Sequence, residues 1–266
     1  MKVAIIGVGV MGETLLAGLL RSGADPSHLV VIEKRPERAA ELATRYDVTV
    51  AEDLTAAAGV DAVALVVKPQ DMSEVLVELA PHLHPGQVLV SLAAGITTGY
   101  VERHIPDGVA VVRVMPNTPA LVDEGMAAIS AGTHCDDEHL QIAEGLLAAT
   151  GRVIRVPEKQ QDAVTAISGS GPAYLFFVVE AMIEAGVHLG LPRTTATELV
   201  VQTVVGSAKL LRETGEHPTV LRERVTSPGG TTAAAVRELE DHKVRAAFIT
   251  AMEAARDRSI SLAAEE

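Results

Sequence analysis

The sequence predicts an α/β protein with a mostly parallel sheet over residues 1–157 and an all-helical domain over residues 158–266. Three observations predict it. Short β-rich runs alternate with helical stretches up to about Pro157, strand signals vanish beyond it, and the first strand runs straight into the glycine-rich turn Gly7-Val8-Gly9-Val10-Met11-Gly12. Strands separated by helices of this length need crossover connections, which produce a largely parallel sheet covered on both faces.

Taken in order, strands are expected at Lys2–Ile6, Leu29–Glu33, Val48–Val50, Ala62–Val67, Gln87–Ser91, Ala110–Val114, Met126–Ser130 and Arg152–Val156. Ala62–Val67 is apolar without alternation, the pattern of an interior strand buried on both sides. Helices Met11–Ser22, Pro36–Arg45, Asp71–Leu79 and Asp136–Ala149 fall between the strands. Beyond Pro157, Asp162–Gly186, Arg193–Arg212 and Thr232–Arg258 read as helices, the last broken or kinked around Glu240-Asp241-His242. The first of these carries Leu175, Phe176, Val178, Val179, Met182, Ile183 and Val187, with little polar surface beyond Glu180 and Glu184. A helix apolar over so much of its circumference is expected to be buried on several sides, and here to pack against another subunit.

Composition narrows the function. The 266 residues are 48% hydrophobic but hold no Trp, three Tyr and three Phe, so the core must be built from Ala, Val, Leu and Ile. A net charge of −13 argues against a general affinity for nucleic acid or anionic lipid, both of which need a cationic surface. The single Cys135 excludes an internal disulfide and a multi-cysteine metal site, and no histidine belongs to a credible ligand cluster, so no metal is expected. Met1-Lys2 leads directly into Val3–Ile6 and no apolar run of roughly 18 residues is apparent; no secretory leader and no membrane span are expected, and a cytoplasmic location is the default.

The turn after the first strand has the GxGxxG spacing of a Rossmann-type dinucleotide site. Gly7 permits the tight turn, Gly9 lets the backbone approach a pyrophosphate, and Gly12 allows helix and strand to pack closely. Backbone N–H groups at the helix start, Val8, Val10 and Met11 among them, would hold the phosphates without a basic surface. Glu33 ends the second strand, 21 residues after Gly12, where a carboxylate accepts hydrogen bonds from the adenosine ribose of NAD(H). Lys34 and Arg35 could instead embrace the 2′-phosphate of NADP(H), and these residues leave the choice of coenzyme open. Val67-Lys68-Pro69, the small-residue loop around Ala93, and Met115-Pro116-Asn117 follow other strands at the expected nicotinamide end. There Asn117 can orient a carboxamide, and Lys68 is either catalytic or a residue that helps hold the cofactor or its loop.

In the helical half, Ser168-Gly169-Ser170-Gly171-Pro172-Ala173-Tyr174 is too glycine-rich for a comfortable mid-helix segment and implies close backbone contact. Thr226-Ser227-Pro228-Gly229-Gly230-Thr231-Thr232 opens directly into a helix. Unpaired N–H groups of Gly230, Thr231 and Thr232 would converge there with the hydroxyls of Ser227, Thr231 and Thr232. Together they make a small-carboxylate site built without formal positive charge.

On these motifs, and on Asp162–Tyr174 and Val225–Thr232 above all, the sequence closely resembles the pyrroline-5-carboxylate reductase family over essentially its full length. The resemblance implies reduction of 1-pyrroline-5-carboxylate to L-proline with NADPH or NADH, the last step of proline biosynthesis. It implies helical domains that interleave into homodimers, in many members gathered as decamers. It also implies that Thr232 hydrogen-bonds the ring nitrogen of the cyclic imine and that Ser227, Gly229, Gly230 and Thr231 hold its carboxylate. A two-domain 3-hydroxyacid dehydrogenase is a weaker fit, because Thr165–Gly186 lacks the lysine that such chemistry places in this helix.

Overall fold

A computed structural model describes residues 1–264 and contains two compact units. One runs from Met1 to Ser170 and takes in the chain again from Ala255; the other is Gly171–Ala254. The architecture is a mostly parallel Rossmann-type sheet domain followed by helices.

All eight expected strands form: β1 (Val3–Ile6), β2 (Leu29–Ile32), β3 (Thr49–Ala51), β4 (Ala62–Leu65), β5 (Val88–Ser91), β6 (Ala110–Met115), β7 (Gly125–Ala131) and β8 (Gly151–Arg155). They make one sheet in the order β3-β2-β1-β4-β5-β6-β7-β8. β1 lies between β2 and β4, with Ile5 opposite Val31 on one side and Ala64 on the other. Only the β6–β7 pair is antiparallel. The reason is the connection: Pro116–Glu124 is shorter than the crossover of about a dozen residues that a parallel return requires.

Side chains alternate between two buried layers. Val3, Ile5, Val31, Ala64, Val90 and Val112 face one layer, closed by Leu15, Leu16 and Leu19 of α1 (Val10–Arg21), Leu42 of α2 (Pro36–Tyr46) and Leu146 of α5 (Asp137–Leu147). Ala4, Ile6, Ile32, Val63, Leu65 and Leu89 face the other, closed by Met72, Val75, Leu76 and Leu79 of α3 (Met72–Leu79) and Val101 of α4 (Thr98–Glu102). Two covered faces explain why β4 shows no polar alternation. Leu16 and Leu76 are fully buried, so truncating either to Ala would cost about 2–5 kcal/mol.

The expected single helix over Asp162–Gly186 is in fact three pieces. α6 (Gln161–Val164) passes into a π-helical turn over Thr165–Gly169, closed by Ser170 N–H donating to Thr165 O at 2.8 Å, and α7 (Gly171–His188) follows. In the widened turn Gly169 lies against the methyl of Met115, so the close contact at this glycine is with the end of β6. α8 (Arg193–Thr214) packs on α7 where Gly186 meets Ala196. α9 (Pro218–Arg224) is unexpected; Pro218 starts it and His217 Nδ1 caps it by accepting from Thr219 N–H. α10 (Thr231–Asp241) and α11 (Val244–Ala264) are separated at His242-Lys243, where Lys243 adopts a left-handed φ of 57°, at the break read from the sequence.

Within the single chain no side chain of α7 is buried: Phe176 is 66% and Phe177 73% exposed, because α8 covers only part of its circumference, which leaves the apolar face expected to pack against another subunit uncovered. One expectation is corrected here. The helical stretch Glu158–His188 is long and apolar enough, by length and composition, to cross a bilayer, contrary to the reading that no such run exists.

Candidate active site

Where β1 meets α1 the backbone is shaped by glycine. Gly7 has φ +85°, and a Cβ there would lie 2.8 Å from Val66 O; its N–H donates to Ile32 O at 3.2 Å, tying the turn to the end of β2. A Cβ on Gly12 would collide with Gly7 O, so helix and turn close only without a side chain. A Cβ on Gly9 would meet nothing within 4 Å. Gly9 opens instead onto a cleft of about 910 Å³, lined by Gly7, Val8 and Gly9 on one side and by Val66, Val67 and Lys68 on another. The cleft lies where the strand order reverses between β1 and β4, outside the carboxyl ends of the strands. Space above Gly9 beside the unpaired first-turn amides of α1 fits an anionic dinucleotide.

Glu33 follows β2, and its carboxylate is almost enclosed, with 7% of the side chain exposed. It accepts a fork from Arg35, Nε at 2.9 Å and Nη2 at 3.1 Å, and the Arg35 backbone N–H at 3.1 Å. The Arg35 guanidinium holds this carboxyl below its usual range, against the opposing effect of burial. Lys34 Nζ stands 3.5 Å from both Glu74 Oε1 and Glu78 Oε2 of α3. Both cations expected to embrace a 2′-phosphate are thus engaged by carboxylates.

Other expected cofactor contacts separate from this cleft. Pro69 starts the short turn leading to α3 and is not among the lining residues, and neither are Val10, Met11 and Gly12. Ala93 is 3% exposed with its methyl in the core, which removes that side chain from the cleft wall. Met115 ends β6, two strands from β4, Pro116 and Asn117 follow it, and all three lie outside the cleft. The Asn117 side chain is committed locally: Oδ1 accepts from Met126 N–H at 2.8 Å and Nδ2 donates to Ser168 O at 3.2 Å. It brackets the loop after β6 to the π-helical turn.

The second motif lies in the helical unit. Gly229 takes φ +68°, and Gly230 N–H donates to Ser227 O at 3.0 Å. That N–H is therefore already paired, which corrects its assignment as a free donor. A Cβ on Gly230 would collide with Ser227 Oγ, so the glycine allows the serine hydroxyl to fold back over the start of α10. Gly230 is the N-cap and no side chain caps the helix. The first-turn amides of Thr231 and Thr232 therefore have no partner within the helix.

Residues 158–262 match the family described as pyrroline-5-carboxylate reductase dimerisation, and residues 2–95 match the family of coenzyme F420-dependent NADP oxidoreductases. Over 264 residues the chain is 46% identical to the pyrroline-5-carboxylate reductase of Corynebacterium melassecola, covering 98% of each. The chain belongs to the pyrroline-5-carboxylate reductase family. The Mycobacterium tuberculosis reductase is 44% identical, with 98% of this chain and 96% of that protein covered. The solved reductase of Coxiella burnetii superposes with a TM-score of 0.95 at 37% identity, covering 98% of each chain. That of Plasmodium falciparum, solved with NADP bound, gives 0.87 at 28% identity, covering 99% of this chain and 98% of the other. As a member of this family the chain is an oxidoreductase with a self-associating helical domain.

Within this family member the sequence reading missed one wall of the cleft. Asp53, Thr55, Asp71, Glu74 and Glu78 line it, beside Glu52. Asp53 caps locally, its Oδ1 accepting from Thr55 N–H at 3.0 Å, an Asx-type turn that the sequence Glu52-Asp53-Leu54-Thr55 could have signalled. Glu74 and Glu78 are four residues apart on a helix and so share a face, a spacing that was also visible.

Proposed function

We propose that this chain catalyses the NAD(P)H-dependent reduction of 1-pyrroline-5-carboxylate to L-proline, the last step of proline biosynthesis. The observation that carries the reading is the open space above Gly9, at the mouth of a cleft of about 910 Å³, in a chain matched along its whole length by reductases of this family. When bound, the reduced nicotinamide supplies the hydride that the imine carbon receives.

The roles fall to residues of both halves. Amides at the start of α1, Val8, Val10 and Met11 among them, hold the pyrophosphate, Gly9 makes room for it, and Gly12 lets α1 close on the turn. Glu33, Lys34 and Arg35 meet the adenosine ribose, while Val67 and Lys68 form the facing wall. Thr231 and Thr232 amides, with the hydroxyls of Ser227 and Thr231, hold the substrate carboxylate, and Gly229 and Gly230 give that loop its shape. The Thr232 hydroxyl orients the ring nitrogen, directly or through a water. A threonine hydroxyl is too weak an acid to serve as sole proton source, so its contribution is positioning.

Lys34 and Arg35, and the NADP held by the Plasmodium relative, favour NADP(H). NAD(H) is the second reading, favoured by the enclosed Glu33 carboxylate at the end of β2. The assembly is an interleaved homodimer gathered into a decamer, supported by the exposed apolar side chains of α7 and by the dimerisation family over 158–262. We place the functional division at 157/158, where that match begins, and the reaction in the cytoplasm, where its small soluble reactants are at hand. The test is an initial-rate assay of the purified chain with 1-pyrroline-5-carboxylate and each reduced coenzyme, with L-proline measured as product. Failure of the imine to drive oxidation of either coenzyme would refute the reading.

A further inference from the structure

The adenosine end of the cleft is more negative than its ligand would suggest. Six carboxylates line the cleft against three Lys and Arg side chains. NADPH differs from NADH by a 2′-phosphate, which adds roughly −1.5 to −2 charge at neutral pH. The side chain best placed to answer that charge, Lys34, is drawn across the cleft to Glu74 and Glu78, each at 3.5 Å. These two glutamates stand on one face of α3, so both carboxylates bear on the same ammonium. Arg35 offers little relief, since its fork is spent on the enclosed Glu33.

We propose that Glu74 and Glu78 are coenzyme-selectivity determinants: by holding the Lys34 ammonium they compete with a 2′-phosphate and weaken NADPH relative to NADH. The inference rests on the dinucleotide reading of the cleft. It differs from the role of Glu33 in kind, because Glu33 meets the ribose hydroxyl directly whereas the α3 pair acts on the neighbouring cation. All three partners are well exposed, with side chains 61% (Lys34), 73% (Glu74) and 50% (Glu78) accessible, so the competition is screened by solvent and its size is modest.

The experiment measures equilibrium dissociation constants for NADPH and NADH, by calorimetry or nicotinamide fluorescence, without substrate. It compares the wild type, E74Q/E78Q, K34A and the triple variant. In E74Q/E78Q the ratio Kd(NADPH)/Kd(NADH) should fall about three- to tenfold, the range expected for two exposed ion pairs. Adding K34A should abolish the gain, and raising the salt concentration should shrink it. An unchanged ratio overturns the proposal. So does an equal tightening of both coenzymes, which would report general relief of negative charge, or a gain that survives loss of Lys34. If the wild type binds neither coenzyme, the dinucleotide reading itself falls and this inference with it.

Discussion

The sheet half and the helical half are both rich in small aliphatic residues, yet only one of them buries its own apolar surface. Every residue of β1, β4 and β5 is buried, because crossover helices of the same chain close both faces of the sheet. In Gly171–Ala254, by contrast, only Ala196 and Val200 are buried among the described residues, while Leu175, Phe176, Phe177 and Met182 stand exposed. A parallel sheet must carry its covering helices between its strands, so its core closes as the chain is threaded. A helical pair such as α7 and α8 has no such obligation and completes its core with another copy. Self-sufficiency in one half and dependence in the other follow from connectivity rather than from composition.

Four measurements would break or sharpen this contrast. The largest effect is expected from Phe176→Glu with Phe177→Glu. Charges forced into an apolar contact cost several kcal/mol each, so the assembly constant should weaken at least ~1,000-fold, read by sedimentation or light scattering. Unaltered assembly would show that α7 is not the contact face and would end the comparison. In the self-sufficient half, Gly9→Val should leave thermal stability within about 2 °C, because the new side chain meets nothing. It should also cut dinucleotide affinity about 100-fold. Gly12→Val should lower both, because its side chain runs into the Gly7 carbonyl and overpacking costs about 1–3 kcal/mol. Identical behaviour of the two variants would contradict the assignment of distinct roles.

Thr232→Ala probes the dependent half by function. Its hydroxyl caps nothing in the single chain, so folding should be unaffected while turnover on the imine drops about ten- to 100-fold. Wild-type kinetics in that variant would remove Thr232 from the site. The smallest effect concerns Glu33. Its folded-state pKa is depressed by Arg35, so the stabilisation is complete above the ordinary glutamate value of about 4.3 and is lost as pH falls through the lower folded value. Glu33→Gln should therefore cost about 1 kcal/mol at neutral pH in denaturant unfolding, with the gap closing in acid. A gap that stays constant to low pH would mean that the Arg35 fork contributes nothing electrostatic.

Much of the molecule was legible in advance, for local reasons. The eight strands announce themselves by β-branched runs, and the glycine turn by its place after the first of them. The tail break at His242-Lys243 shows in a short polar interruption. What escaped reading depended on neighbours distant in sequence. The helix expected over Asp162–Gly186 is interrupted by a π-helical turn in which Gly169 lies against the Met115 methyl; the glycines near 169 signal a close contact, but nothing near them names Met115 as the partner. Asn117 looked free to bind a carboxamide but spends both ends of its amide on Met126 and Ser168. Gly230 looked like a free donor, yet its N–H closes a turn onto Ser227.

The sequence by itself determined the order of strands and helices, the glycine-rich turn after the first strand, the hydroxyl-rich loop and the family to which they belong. All of these depend on spacing along the chain and on side-chain chemistry, which a linear text preserves. Only the tertiary structure decided which charges meet: that Lys34 faces Glu74 and Glu78, that Arg35 turns back on Glu33, and that α7 stands uncovered. Electrostatic and packing partners are chosen by distance in space, and folding brings the Lys34 ammonium to 3.5 Å from the Glu78 carboxylate.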